Sequence, residues 1–192
     1  MKLEENKKRF ISILHECCDK RFNVDNLIKY LEEETDFFLA PASTKYHCNY
    51  EGGLLQHSLN VFDTLSNLKE LYYENCNLST IAIVGLFHDL CKANFYSTEN
   101  KNLKTQFGWS TQKVYIVEDQ LPLGHGEKSI IMLLNQGVKL TEEEMLAIRW
   151  HMSGFDNAVK GGDISLNTAQ TKTKLVSLVQ SADIISTYIL EK

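Results

Sequence analysis

Apolar residues recur along most of this chain at helical spacing. Near the N-terminus Phe10, Ile13, Leu14 and Cys17 share one face of a helix running from about Leu3 to Cys18, with charged residues between them. A second helix is expected from Val24 to about Glu34, and Pro41 closes the segment after it. A third starts near Gly53 and continues through LLQHSLNVFDTLSNLKELYYEN. The fourth, capped by Asn77 or Ser79, contains the apolar run from Ile81 to Phe87 and carries His88 and Asp89. The pattern then breaks. Between Asn94 and Gln120 a polar stretch leads to Phe107-Gly108-Trp109-Ser110 and to the alternating Val114, Tyr115, Ile116 and Val117, which predicts a short β-hairpin inserted between helices. Helical spacing returns after Gly126 in EKSIIMLLNQG, with Gly137 as a C-terminal cap, and Thr141 with Glu144 forms a capping-box signature for TEEEMLAIRWHM. Val159 to Thr173, rich in Gly, Ser, Thr and Asn, reads as a mobile loop, and KLVSLVQSADIISTYILEK as a last amphipathic helix. The expected fold class is mostly α, a single-domain helical bundle with a short inserted β-hairpin at about 94–120.

Composition narrows the functional classes. A chain of 192 residues can bury one full core, and its two prolines leave room for long helices. No apolar run has the length of a membrane span, and the N-terminal MKLEENKKRF has no signal-peptide pattern, so a cytoplasmic location without membrane contact is expected. Cys17, Cys18, Cys48, Cys76 and Cys91 form no CxxC pair and are odd in number, which predicts reduced, mostly buried thiols. A net charge of −5 argues against a large basic face, so no extended duplex nucleic acid is expected as partner.

The informative residues are the polar ones that interrupt apolar text. His57 lies in GGLLQHSLNV, His88 and Asp89 in GLFHDLCK, His125 in PLGHGEKS, His151 in AIRWHM and Asp183 in LVQSADIIS. Any one histidine on an apolar helix face is more often a hydrogen-bonded core residue than a ligand. Taken together, imidazoles and carboxylates from successive helices form the donor set with which a bundle holds a transition metal, and no cysteine is placed to compete.

The order His57, His88-Asp89, His125, His151, Asp183, with GG before the first histidine and Lys92 after the pair, resembles the HD-domain superfamily of metal-dependent phosphohydrolases over about Ser43 to Ser186. The resemblance implies an HD-type domain over 1–192, with N-terminal helices at 1–42 and the core at 43–186. It implies a first metal on His57, His88, Asp89 and Asp183 and a second on His125 and His151, with Asp89 bridging. The ions would be Fe, Mn, Co or Ni. Asp89 and Lys92 would be the catalytic residues, with Lys92 pairing Asp89 or a phosphate oxygen. His47, Lys128 and Arg149 are candidates for substrate binding, and Glu127 adjoins them; His15 lies outside the set. The activity implied is hydrolysis of a small phosphorylated substrate, a nucleotide or a short single-stranded end, by a hydroxide activated between two metals. The stretch EGGLLQHS, with PAS before it, is similar to the HD domain of bacterial 3′–5′ exoribonucleases. The alternative is the mixed-valent di-iron chemistry of some members, which cleaves a C–C or C–P bond with O₂. A binding module with a degenerate site would lack ligands, and none is missing. The aromatic residues Phe107, Trp109 and Tyr115 of the hairpin would either pack or form a wall that stacks a base. Oligomeric state is left open by the sequence.

Overall fold

The chain folds around its most apolar helix, Leu78–Phe87, in which every residue from Ser79 onward is buried. A computed structural model describes residues 2–106 and 108–192. In chain order α1 (Lys2–Cys18), α2 (Val24–Glu33) and α3 (Gly53–Tyr72) precede this helix, which is α4. The hairpin of β1 (Tyr96–Thr105) and β2 (Gly108–Val117) follows. Then come α5 (His125–Asn135), α6 (Glu142–Trp150), α7 (Asn157–Lys160), α8 (Ser165–Lys172) and α9 (Lys174–Ile185), after which the chain widens into a π turn over Ser186–Leu190.

A helix apolar on all sides has to be covered on all sides, and α1, α3 and α6 pack directly on α4. The covering face of α1 is Phe10, Ile13, Leu14 and Cys18. Cys17, expected on that face, is only half-buried, because Cys18 continues the i, i+4 row from Phe10 and Leu14. The Phe10 ring meets Phe37, Phe38 and Phe87 at centroid distances of 5.3, 5.6 and 5.5 Å. The N-terminal helices therefore hold the end of α4 where the polar residues begin.

Helix ends follow their sequence signals. Asn77 caps α4, its side chain accepting from the Ser79 N–H. At the end of α5, Val138 N–H donates to Leu133 O and Gly137 N–H to Leu134 O, with Gly137 at φ 75°, the paired bonds of a Schellman motif. Thr141 and Glu144 close the capping box of α6. The buried Glu144 carboxylate does more than cap. It takes both Arg21 terminal nitrogens at 2.6 and 2.9 Å and the Thr80 hydroxyl at 2.8 Å, joining the segment after α1 to α4 and α6.

Two expectations are corrected. Residues 159–173 are not a loop throughout: they contain the end of α7 and all of α8. The Asp156 side chain caps α7, and Leu166 and Ala169 bury against Trp150 and Val176. Burial here overrides the weak helix propensity of Ser, Thr and Asn. The last helix also ends sooner than its pattern suggests, in the π turn. The hairpin forms within the expected segment, antiparallel from Tyr96↔Val117 to Thr105↔Gly108; Phe107 lies outside the described residues. No helix among them is long and apolar enough to cross a membrane.

Burial raises the Glu144 carboxyl, but Arg21, the Thr141 N–H and Thr80 outweigh it and hold it below its ordinary value. Its contribution to stability is therefore complete above the unfolded carboxylate value of about 4.3 and is lost as pH falls through the native one. Arg21→Met should cost about 3–5 kcal/mol in urea denaturation at neutral pH. A loss under about 1 kcal/mol, typical of an exposed pair, would contradict this role.

Candidate metal centre

Five elements bring six polar side chains to one place. His57 comes from α3, His125 from the first residue of α5 and Asp183 from α9. His88 and His151 are the terminal caps of α4 and α6. Asp89 has left the helix, at φ −105° and ψ 19°, and a 3₁₀ turn over Leu90–Lys92 follows. The pair is thus not inside α4, as the spacing suggested, but in the turn that ends it.

This placement has a use. The last carbonyls of a helix lack intrahelical partners. The His88 Nδ1–H donates to Gly85 O at 3.0 Å, and the His151 Nδ1–H to Ile148 O at 2.7 Å. A carbonyl can only accept, so each ring carries its proton on Nδ1 and turns Nε2 inward. His57 does the same with a different partner: its Nδ1 lies 3.0 and 3.1 Å from the two Glu191 carboxylate oxygens. The three Nε2 atoms converge, those of His57 and His88 standing 3.2 Å apart.

Asp89 divides its two oxygens between two groups of imidazoles. Oδ2 lies 3.6 Å from His57 Nε2 and 3.5 Å from His88 Nε2, while Oδ1 lies 3.3 Å from His151 Nε2 and 3.8 Å from His125 Nε2. Asp183 Oδ1 adds a carboxylate 3.3 Å from His57 Nε2. Asp89 Oδ1 and His151 Nε2 are both buried, and neither has a hydrogen-bond partner. Such atoms are costly to bury unless something satisfies them. The donor set and its unpaired atoms fit divalent ions on both sides of one carboxylate.

Charge agrees with this geometry. Burial pushes His88 and His125 down to about 4, so both are neutral donors at pH 7. Burial would also lower His57, but Asp183 and Glu191 outweigh it and raise it to about 9; a metal ion at Nε2 has to displace that proton. Burial raises Asp89, yet Lys92 and the imidazoles outweigh it and hold it well below the carboxylate range. Lys92, expected at the rim, is buried, with Nζ 2.6 Å from Asp89 Oδ2.

Close helix approaches fix the spacing. A Cβ on Gly85 would lie 2.8 Å from Phe62 Cα, so α4 can touch α3 only without one. A Cβ on Gly126 would lie 2.5 Å from Arg149 Cα and from Ile148 O, which lets the start of α5 rest on the end of α6 and sets His125 beside His151. Three residues that sequence reasoning missed complete the frame. The Ser129 hydroxyl donates to His88 O at 2.9 Å and accepts from the Cys91 N–H at 3.0 Å, pinning α5 to the turn. Gln180 Nε2 donates to Trp150 O at 2.7 Å, tying α9 to the end of α6. Glu191 orients His57 and accepts from Asn60 Nδ2 at 2.8 Å. The first two are ordinary polar residues in helical text, and Glu191 reaches His57 only because the π turn redirects the chain.

The remaining candidates divide. His47 packs tilted against His57 at 4.8 Å between centroids, and its buried Nε2 has no hydrogen-bond partner. Lys128 is buried, paired with Asp119 at 2.6 Å. Arg149 is held by Glu127 and Asp156 at 2.6 and 2.7 Å and lies over the Trp150 ring. Either cation meets a substrate only by giving up a carboxylate. His15 pairs with Asp19 at 2.9 Å on α1, away from the cluster. The cysteine expectation needs correction, since Cys91 lies within ligand range of Asp89 and His125. Burial pushes its thiol up to about 12, so a metal ion could take it as a ligand only by displacing its proton.

A family model described as HD domain matches residues 54–188, well over half of the chain; His47 and Glu191 lie outside the match. No curated protein and no solved structure matches.

Because Glu191 fixes the ring and tautomer of His57, Glu191→Gln should weaken metal binding about 10- to 100-fold by calorimetry, with the fold retained. Unchanged affinity would show that Glu191 does not orient the ligand.

Proposed function

The chain belongs to the HD-domain family, whose chemistry is of the metal-dependent hydrolase type, and from that premise we propose that it is a two-metal phosphohydrolase acting on a nucleotide or a short single-stranded end. The observation that carries this reading is the division of Asp89. One carboxylate oxygen serves His57, His88 and, through His57, Asp183; the other serves His125 and His151. His57, His88, Asp183 and Asp89 would hold one ion, and His125, His151 and Asp89 the other. Bound there, divalent Fe, Mn, Co or Ni would lower the pKa of a coordinated water and offset the charge of a phosphate.

The chain's own residues do the rest. Lys92 keeps Asp89 ionised and adds a fixed positive charge to the centre that would favour an anionic phosphate. Neutral His88 and His125 keep their lone pairs available throughout the neutral range. The free Nε2 of His47 is in position to donate to or accept from a substrate group, or a water, beside His57. Phe95, whose ring centroid is 6.0 Å from that of His125, gives the second side of the centre an apolar wall.

Metal analysis of protein purified without chelator, followed by turnover on a phosphoester panel with and without oxygen, tests the reading. About two ions per chain and oxygen-independent release of phosphate or nucleotide are expected, and Asp89→Ala should lose both ions and the activity. Full activity in Asp89→Ala would refute the assignment, and two irons with no hydrolysis of any ester would turn it toward O₂ chemistry.

A further inference from the structure

The hairpin is the largest feature that the metal centre leaves unused, and its register sorts it into two unlike faces. Cross-strand partners share a face, and faces alternate along each strand. From root to tip, one face carries Tyr96, Tyr115, Lys113, Lys104 and Trp109, interspersed with Asn, Thr and Val. It has no acidic residue. The other face carries Glu99, paired with Lys101 at 2.6 Å.

The first face is open at its outer end. Trp109 is 74% exposed, so it does not simply pack. Lys104 and Lys113 are exposed, and neither makes an ion pair among the described residues. Aromatic rings and unpaired cations on one face are the chemistry that holds a single strand: bases stack on the rings while phosphates meet the lysines. In a chain of net charge −5 this stripe is a local exception.

Its root adjoins the metal centre. Tyr96 follows Phe95, which packs on His125, and its hydroxyl donates to Ala42 O at 3.3 Å. Burial pushes that hydroxyl up to about 12 despite the nearby Lys92. From this root the strands extend about 30 Å, against about 3.4 Å per nucleotide of a stacked strand. We infer that this face of the hairpin binds a single-stranded oligonucleotide and guides its end to the metal centre. The inference rests on the phosphohydrolase reading and names its substrate class.

The test is direct, because the other tryptophan, Trp150, is buried. A cleavage-resistant phosphorothioate oligo(dT) of about ten residues, enough to span the face by the same rise, should quench the exposed tryptophan emission of the metal-loaded protein; inorganic phosphate should not. By anisotropy of the labelled oligonucleotide, Trp109→Ala should weaken binding about tenfold or more and Trp109→Phe should restore most of it. Lys104→Ala with Lys113→Ala should reduce the salt slope of log K by about 1.4. Lys101→Ala, on the opposite face, should change affinity less than about twofold, because it lies off the path of the strand. Equal losses from Lys101→Ala and Lys104→Ala would overturn the face assignment in favour of unspecific charge. Absent binding would overturn it too, as would a dimer in solution that Trp109→Ala dissociates, which would make the face an interface between copies. Hydrolysis of a small ester without oligonucleotide binding removes this inference alone. Oligonucleotide binding without hydrolysis of any ester keeps the face and removes the hydrolase reading.

Discussion

Three imidazoles at the centre of this protein have committed their Nδ1 protons, two to backbone carbonyls and one to a carboxylate, and so face one another and two aspartates with Nε2. Lone pairs and carboxylates packed this closely repel unless positive charge lies among them. Lys92 supplies one such charge, on one oxygen of Asp89, and His57, raised to about 9, supplies another. The other oxygen and the His151 nitrogen facing it have no hydrogen-bond partner. The arrangement of helices is the means by which the chain holds this cluster together.

Each part of that frame acts at a helix end. His88 and His151 terminate α4 and α6 and cap them with their own rings, so a structural need of the helix fixes the tautomer of each ring and leaves Nε2 facing the cluster. The glycine contacts of α4 on α3 and of α5 on α6 set how close the rings can come. Ser129, Gln180 and Glu191 then tie neighbouring elements across the centre. Phe10 on Phe87, beside His88, and Arg21 on Glu144, at the other end of α4, anchor the N-terminal segment to the same helices.

What could be read from the sequence was what local chemistry determines. The capping box of Thr141 and Glu144, the glycine cap at Gly137 and the hairpin between Asn94 and Gln120 each carry their own signal, and each is found in the structure. The ordered histidines and aspartates could be gathered because each interrupts apolar text. Glu191 could not, since it reaches His57 across a π turn that no periodicity announces. Ser129 is indistinguishable in sequence from any helical serine. Residues 159–173 misled because their composition favours turns, while the burial of Leu166 and Ala169 made part of them helical. The burial of Lys92 also depends on a 3₁₀ turn, which spacing counted as a helix does not reveal.

The proposed function requires that one carboxylate, Asp89, serve two metal ions. Anomalous diffraction at the metal absorption edge, from crystals of protein purified without chelator, tests it most directly. The account predicts two peaks, one on each side of the Asp89 carboxylate, the first among His57, His88 and Asp183 and the second between His125 and His151. A single peak on one oxygen of Asp89, or peaks that leave Asp89 unligated, would contradict it.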